Sequence, residues 1–381
     1  VDRVPARTAK VARIQRVCGL RVAVFWQSWQ AKGVSVQKLK NDRLLKACRR
    51  EAVDRAPIWL MRQAGRYMPE YRALRAKHTI LEMIKAPDLA TEVTLQPIDA
   101  FGMDAAIIFA DILPLLEAMD LDLEFIPGTG PVIHNPIRHT DDIKRLVPAD
   151  PEEKLSFTIE AIRQTTQALD GRVPLIGFSG APFTLACYAI NGGGSKDWLI
   201  PKQFMYEQPE AFAALMDQLT DAVAAYMVAQ VKAGAPVVQL FDSWAGILSP
   251  KDYRRWVLPS ATKILAAVKE ADPKALTIHF ATGSAGILHL VKEAGSDVVG
   301  VDWRVDIKQA WDGIGHDVAV QGNMDPAILL APKEDVCSTA REIVDSVGGR
   351  PGYIFNLGHG IHKQTDPENV RALVNAVQQT S

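Results

Sequence analysis

Arg62-Gln63-Ala64-Gly65-Arg66-Tyr67 sets two guanidiniums, an amide and a phenol around one glycine. A short apolar run, 57–61, precedes it and reads as a strand entering a loop. Arginine is charged at every working pH. Its planar fork of donors meets a carboxylate two bonds at a time. Gly65 allows a sharp turn or a close approach to a ligand. The loop therefore reads as a clamp for a small molecule bearing several carboxylates, or as a surface loop whose arginines pair with Glu70 or Asp54. The residue chemistry alone leaves both open.

Asp111 closes the apolar run Ile107-Ile108-Phe109-Ala110. A carboxylate in such company needs a cation or N–H donors. It is either a cap or partner of a core arginine, or an anion facing N–H donors and developing positive charge in a ligand. Residues 177–184 read as strand, tight turn and helix. The second glycine directly follows Ser179, which is the wrong spacing for a nucleophile elbow. Tyr188 lies on that helix, and Asn191-Gly192-Gly193-Gly194-Ser195 ends it. Without a Gly-Lys-Ser/Thr ending this is no P-loop; it reads as a lid or as close backbone packing. His279 reads as a core histidine on a strand. His359, between Gly358 and Gly360, has its ring exposed by its neighbours. His362 follows, but no acid or thiol stands near it, so no metal is expected.

Eight apolar, β-rich runs must position these residues: 58–61, 105–109, 175–178, 237–241, 276–280, 298–301, 318–320 and 353–355. Helical patterns fit between them, at 211–233, 250–271, 287–294 and finally 367–378. Alternation of buried strands with helices predicts parallel pairing, and eight such units predict a single-domain (β/α)8 TIM barrel. An open doubly wound sheet would need a glycine fingerprint after an early strand, and there is none. The runs end in Arg62, Asp111, Ser179, Asp242-Ser243, Thr282, Asp302, Asn323 and His359, a polar ring expected at the mouth where such barrels do chemistry. The long gap between the second and third strands, 113–173, holds Pro127-Gly128-Thr129-Gly130-Pro131. It predicts a small hairpin around that turn, then helix over 141–169, an excursion from the barrel.

The 381 residues are 48% hydrophobic, enough for a large core. A formal net charge of -1 argues against nucleic-acid binding. No apolar run is long enough for a membrane span. The 4 cysteines, Cys18, Cys48, Cys187 and Cys337, show no metal or disulfide spacing, which fits a reducing, cytoplasmic setting. Residues 1–35 are basic and nearly free of acids. They read as an extension ahead of a domain over 36–381, or as a Ser-poor transit peptide.

The run 57–72, Pro-Ile-Trp-Leu-Met-Arg-Gln-Ala-Gly-Arg-Tyr-Met-Pro-Glu-Tyr-Arg, resembles the amino-terminal signature of the uroporphyrinogen decarboxylase family. Residues 177–195 resemble its second signature, and 109–113, 241–244, 321–325 and 356–360 also fit. The resemblance runs from about residue 38 to the C-terminus. It implies cofactor-free decarboxylation of the four acetate arms of uroporphyrinogen III, giving coproporphyrinogen III. It also implies that Asp111 accepts the pyrrole N–H groups and stabilises a cationic ring. Arg62 and Arg66 would hold carboxylates, with one guanidinium a candidate proton donor. Gln63, Ala64 and Gly65 would shape the loop, and Tyr188, Ser243 and His359 would contact the arms. Family members resemble homodimers. Two other readings remain: a corrinoid-type zinc methyltransferase on the same barrel, or a non-catalytic tetrapyrrole carrier. The first needs a His-x-Cys pair, where this chain has His279-Phe280-Ala281.

Overall fold

Seven of the apolar runs pair as parallel strands, in the order β1 (Ala106–Ile107), β4 (Leu175–Gly180), β5 (Val237–Asp242), β6 (Leu276–Ala281), β7 (Val298–Gly300), β8 (Ala319–Met324) and β9 (Tyr353–Leu357). The computed structural model describes residues 39–380. The extension over 1–35 lies outside the described residues. Strands β6, β8 and β9 are buried along their whole length, as expected of strands covered on both faces.

The first run, expected as a strand over 58–61, contributes only a parallel bridge from Ile58 to Phe355. It nevertheless closes the cylinder. On one side the Phe355 amide donates to the Pro57 carbonyl at 2.9 Å. On the other, the Asp104 amide donates to the Ile58 carbonyl at 2.8 Å. Side chains replace the missing ladder: the Ile58 amide donates to Asp104 Oδ2, the Leu60 amide to Gln63 Oε1, and the Met61 amide to Asn356 Oδ1, at 2.9, 3.1 and 3.0 Å. Asp104 also takes both nitrogens of the Arg55 fork at 2.7 and 2.8 Å, so its buried charge is fully met.

Trp59, Ile176, Val237, Ile278, Val298, Ala319 and Ile354 fill the barrel interior. Leu44, Leu45 and Cys48 of helix Arg43–Cys48 join them and stop the cylinder at the amino ends of the strands. Within this core Trp59 Nε1 donates to Gln321 Oε1 at 2.8 Å, and Gln321 Nε2 donates to Gln239 Oε1 at 3.2 Å.

The excursion after β1 carries the expected hairpin, β2 (Leu123–Ile126) antiparallel to β3 (Gly130–Ile133). The single helix expected over 141–169 is instead three pieces, Thr140–Ile143, Pro151–Lys154 and Ser156–Leu169. Pro148 and Pro151 account for the break, since neither can donate to a preceding turn. The glycine run after Tyr188 packs closely: the Ile133 amide donates to the Gly192 carbonyl at 2.9 Å, and Gly193 bridges Val132. Among the described residues no helix is long and apolar enough to cross a membrane.

Candidate active site

The arginine loop leaves the closing run through Arg62, whose φ of 58° is left-handed. For a non-glycine residue that conformation costs about 1 kcal/mol and persists only when its surroundings impose it. They do so here: the Ile361 amide fixes the Met61 carbonyl from above at 3.0 Å, and the Gln63 amide folds back to Leu60 at 3.0 Å. Gln63 lies wholly beneath the loop. Its Nε2 donates to the Ala105 carbonyl at 3.1 Å, and its own carbonyl accepts the Tyr67 hydroxyl at 2.6 Å. It therefore shapes the loop without facing the cleft. Ala64 and Gly65 are half-buried at the turn, while Arg62 and Arg66 are exposed. Among the described residues neither guanidinium has an acid within ion-pair distance; Asp54 pairs with Arg43 at 2.5 Å. Pairing with surface acids is therefore not what keeps two arginines here.

Asp111 stands four residues beyond β1, half-buried beside this loop. Burial raises its pKa. The Leu113 amide, the Arg62 charge and the Ile112 amide pull the other way. Its Oδ1 accepts the Leu113 amide at 2.9 Å, the Ile112 amide also bears on the carboxylate, and among the described residues it makes no ion pair. Tyr188, on helix Pro182–Asn191, has its phenol pushed up by burial and then by the nearby Asp111 charge, with Arg62 opposing. Its ring packs edge-on against Trp198 at 5.2 Å and tilts against Trp244 at 6.3 Å.

His359 follows β9 and is flanked by two tight approaches. A side-chain carbon on Gly360 would overlap the Arg62 stem, and one on Gly358 would strike the Trp303 backbone. Burial first, then the positive charges of Arg62 and Arg304, push the imidazole down to about 4. A pKa that low leaves the His359 imidazole neutral at physiological pH. Trp303 meets it edge-on at 6.3 Å.

Ser243 caps the end of β5, half-buried, next to Asp242. Asp242 is fully buried. Its Oδ1 accepts the Thr184 hydroxyl at 3.0 Å, and Thr184 Oγ1 accepts the Trp244 amide at 3.2 Å. This chain of bonds fixes the Ser243–Trp244 turn under Tyr188. Burial pushes Asp242 up to about 7, and Thr184 only partly offsets that. His279 Nε2 lies 4.0 Å from Asp242 Oδ2 with neither atom hydrogen-bonded among the described residues, and burial pushes His279 down to about 4.

The polar ring expected at the mouth is in fact two tiers. Arg62, Asp111, Ser243 and His359 keep exposed surface while the Thr282 hydroxyl is buried, and Arg62 acts electrostatically on Asp111, Tyr188 and His359, as Asp111 does on Tyr188. Ser179, Asp242, Asp302 and Asn323 are buried and brace it. Asn323 Nδ2 donates to the Asp302 and Val305 carbonyls at 2.9 and 2.6 Å; Ser179 donates to the Gly180 carbonyl at 3.1 Å. The reason is depth: a strand's last residue lies inside the rim whenever the following turn climbs over it. Sequence reasoning missed Thr184, Trp244, Trp303 and Arg304. The run Asp302-Trp303-Arg304 after an apolar strand carried a usable signal, an aromatic face beside a guanidinium.

The family model "Uroporphyrinogen decarboxylase (URO-D)" matches residues 39–380. A uroporphyrinogen decarboxylase from Chloroflexus aggregans is 57% identical over 340 residues, covering 89% of this chain and 95% of the relative. One from Carboxydothermus hydrogenoformans is 51% identical over 341 residues, covering 90% and 97%. Among solved structures, a methyltransferase from Methanosarcina mazei superposes with a TM-score of 0.76 at 22% identity, covering 90% of this chain and 99% of that one. That likeness speaks to the shared barrel alone. Among the described residues, no three His, Cys, Asp or Glu side chains gather at metal-binding spacing. On its family match and its close relatives alike, the chain belongs to the uroporphyrinogen decarboxylase family.

Proposed function

We propose that the protein is a carboxy-lyase that removes CO2 from the four acetate arms of uroporphyrinogen III, without a cofactor, and gives coproporphyrinogen III for heme and other tetrapyrroles. Family membership supports this reading. The observation that carries it is a carboxylate, Asp111, that makes no ion pair among the described residues, beside an arginine loop that has none either.

Each element of that arrangement answers a need of the reaction. Direct loss of CO2 from a pyrrole acetate would leave an unstabilised carbanion. Protonation of a ring carbon first makes the pyrrole a cationic electron sink. The C–C bonding pair then flows into the ring as CO2 leaves, the exocyclic carbon takes a proton, and the ring carbon gives one up. Asp111 accepts the pyrrole N–H groups and offsets the ring's positive charge, a contribution on the order of 3 kcal/mol for such a preorganised contact. Arg62 and Arg66 grip carboxylates. Ser243, Tyr188 and neutral His359 hydrogen-bond the arms. Gln63, Ala64 and Gly65 hold the loop in shape.

A cytoplasmic homodimer is the setting we assign. Leu199, Ile200 and Tyr206, exposed on helix Leu199–Glu207, supply an apolar face for a second copy. Anaerobic incubation of the pure protein with the octacarboxylate porphyrinogen tests the activity: CO2 release and tetracarboxylate product are expected. Binding without CO2 would instead favour a tetrapyrrole carrier.

A further inference from the structure

We infer that Arg304 is a further carboxylate-binding residue of this site, a fixed guanidinium that grips one peripheral arm of the substrate on the side of His359 opposite Arg62. The inference rests on the reading of the substrate as a polycarboxylate macrocycle.

His359 sits between two arginine-bearing segments. Gly360 abuts the Arg62 stem, and Gly358 abuts the backbone at Asp302 and Trp303. Arg304 lies just beyond: its Cζ is 3.9 Å above the centre of the Trp303 ring, and that ring meets His359. Asp302 holds it from below. This carboxylate is fully buried; Oδ2 accepts the Gly283 amide at 2.6 Å and Arg304 Nη1, and Oδ1 accepts the Arg304 amide at 3.2 Å. A stacked, anchored guanidinium has already lost the side-chain freedom that binding would otherwise cost.

Asp302 engages only Nη1 of the side chain. Among the described residues Nε and Nη2 carry no protein partner, and the side chain is 49% exposed. Those two nitrogens form the edge that receives a carboxylate with two parallel bonds. The need for it is electrostatic. His359 is neutral, so it cannot balance an anionic arm, and the loop supplies only Arg62 and Arg66. Beyond Trp303, Arg304 also lines a cavity of about 400 Å³ with Asp306, Asp325 and Glu342, whose charges repel a carboxylate. The arm therefore approaches from the His359 side.

The test is fluorescence titration of wild type, R304Q and R304K with uroporphyrin, the oxidised octacarboxylate, and with coproporphyrin, its tetracarboxylate counterpart, alongside steady-state turnover. R304Q keeps an N–H for Asp302. Its Kd for uroporphyrin should rise tenfold or more and KM should follow, with kcat within about threefold of wild type; R304K should fall between. Equal loss of affinity for both porphyrins supports contact with a propionate, and loss for uroporphyrin alone supports contact with an acetate. Unchanged Kd for both in R304Q overturns the subsite while leaving the activity intact. Should R304Q fail to fold, R304K decides: severalfold weaker binding supports the subsite and an unchanged Kd overturns it. A wild type that binds neither porphyrin sinks the polycarboxylate reading and the subsite together.

Discussion

Asp111 and Arg62 divide the work between charge and shape. Asp111 has a raised pKa because burial disfavours its anion, and two backbone amides, those of Leu113 and Ile112, only partly offset that. D111N preserves size and the bond to Leu113 but removes the charge. Turnover should fall by about 10²–10³ while the Kd for uroporphyrin changes little. Equal losses in kcat and affinity would count against a transition-state role. The acid limb of kcat/KM should lie above the ordinary carboxylate range, since protonating Asp111 removes the anion, and D111N should lose that limb. Arg62 instead carries backbone strain. R62G should be more stable than wild type by about 1 kcal/mol in urea denaturation and yet bind substrate far more weakly. A less stable R62G would mean that the left-handed turn is not costly here. Both residues were legible in the sequence, because an arginine pair around glycine and an acid after an apolar run are local signals. Arg304 was only partly so: Trp303 stands next to it in the chain, but the histidine that gives the pair its meaning, His359, comes 55 positions later.

Among the elements, the end of β5 shows how a buried tier serves an exposed one. Asp242 and His279 enter the core as neutral partners. Below pH 7 the folded carboxyl holds its proton, whereas unfolded Asp would give it up near 3.9; the contribution this makes to stability is present at low pH and lost as pH rises to about 7. Folded His279 stays neutral down to about 4, whereas unfolded His takes a proton near 6.5, so its contribution is present at high pH and lost as pH falls. The two slopes oppose. In wild type they cancel between about pH 4 and 6.5, because one proton is bound in either state. H279F leaves Asp242 alone, and its stability relative to wild type should fall with rising pH across that window, by up to about 1.4 kcal/mol per unit. Urea midpoints at pH 5 and 6.5 would show it; parallel curves would mean that the pair is buried in another protonation state. Periodicity found β5 and β6, because strands covered on both faces read as unbroken apolar runs. It could not find the Thr184–Asp242–Trp244 chain, which joins a helix to a strand end. Nor could it foresee that the first stave would be held by Asp104, Gln63 and Asn356 side chains in place of a ladder.

For the whole molecule, eight strand-like runs alternating with helices were enough to foresee the barrel, and the excursion between the second and third runs was placed correctly. The family match starts at residue 39. Removing residues 1–34 should therefore leave kcat, KM and the thermal midpoint near their full-length values. A large drop in either activity or midpoint would assign the extension a part in the fold.

The stave that carries the arginine loop is completed by residues made far later: Met61 leans on Asn356 across 295 positions. During synthesis on the ribosome the loop consequently emerges long before the segment that supports it. A chain cut short before β9 would forfeit the anchor of Arg62 along with His359, so premature termination near the end should abolish ligand capture altogether, where a missing histidine alone would only weaken it.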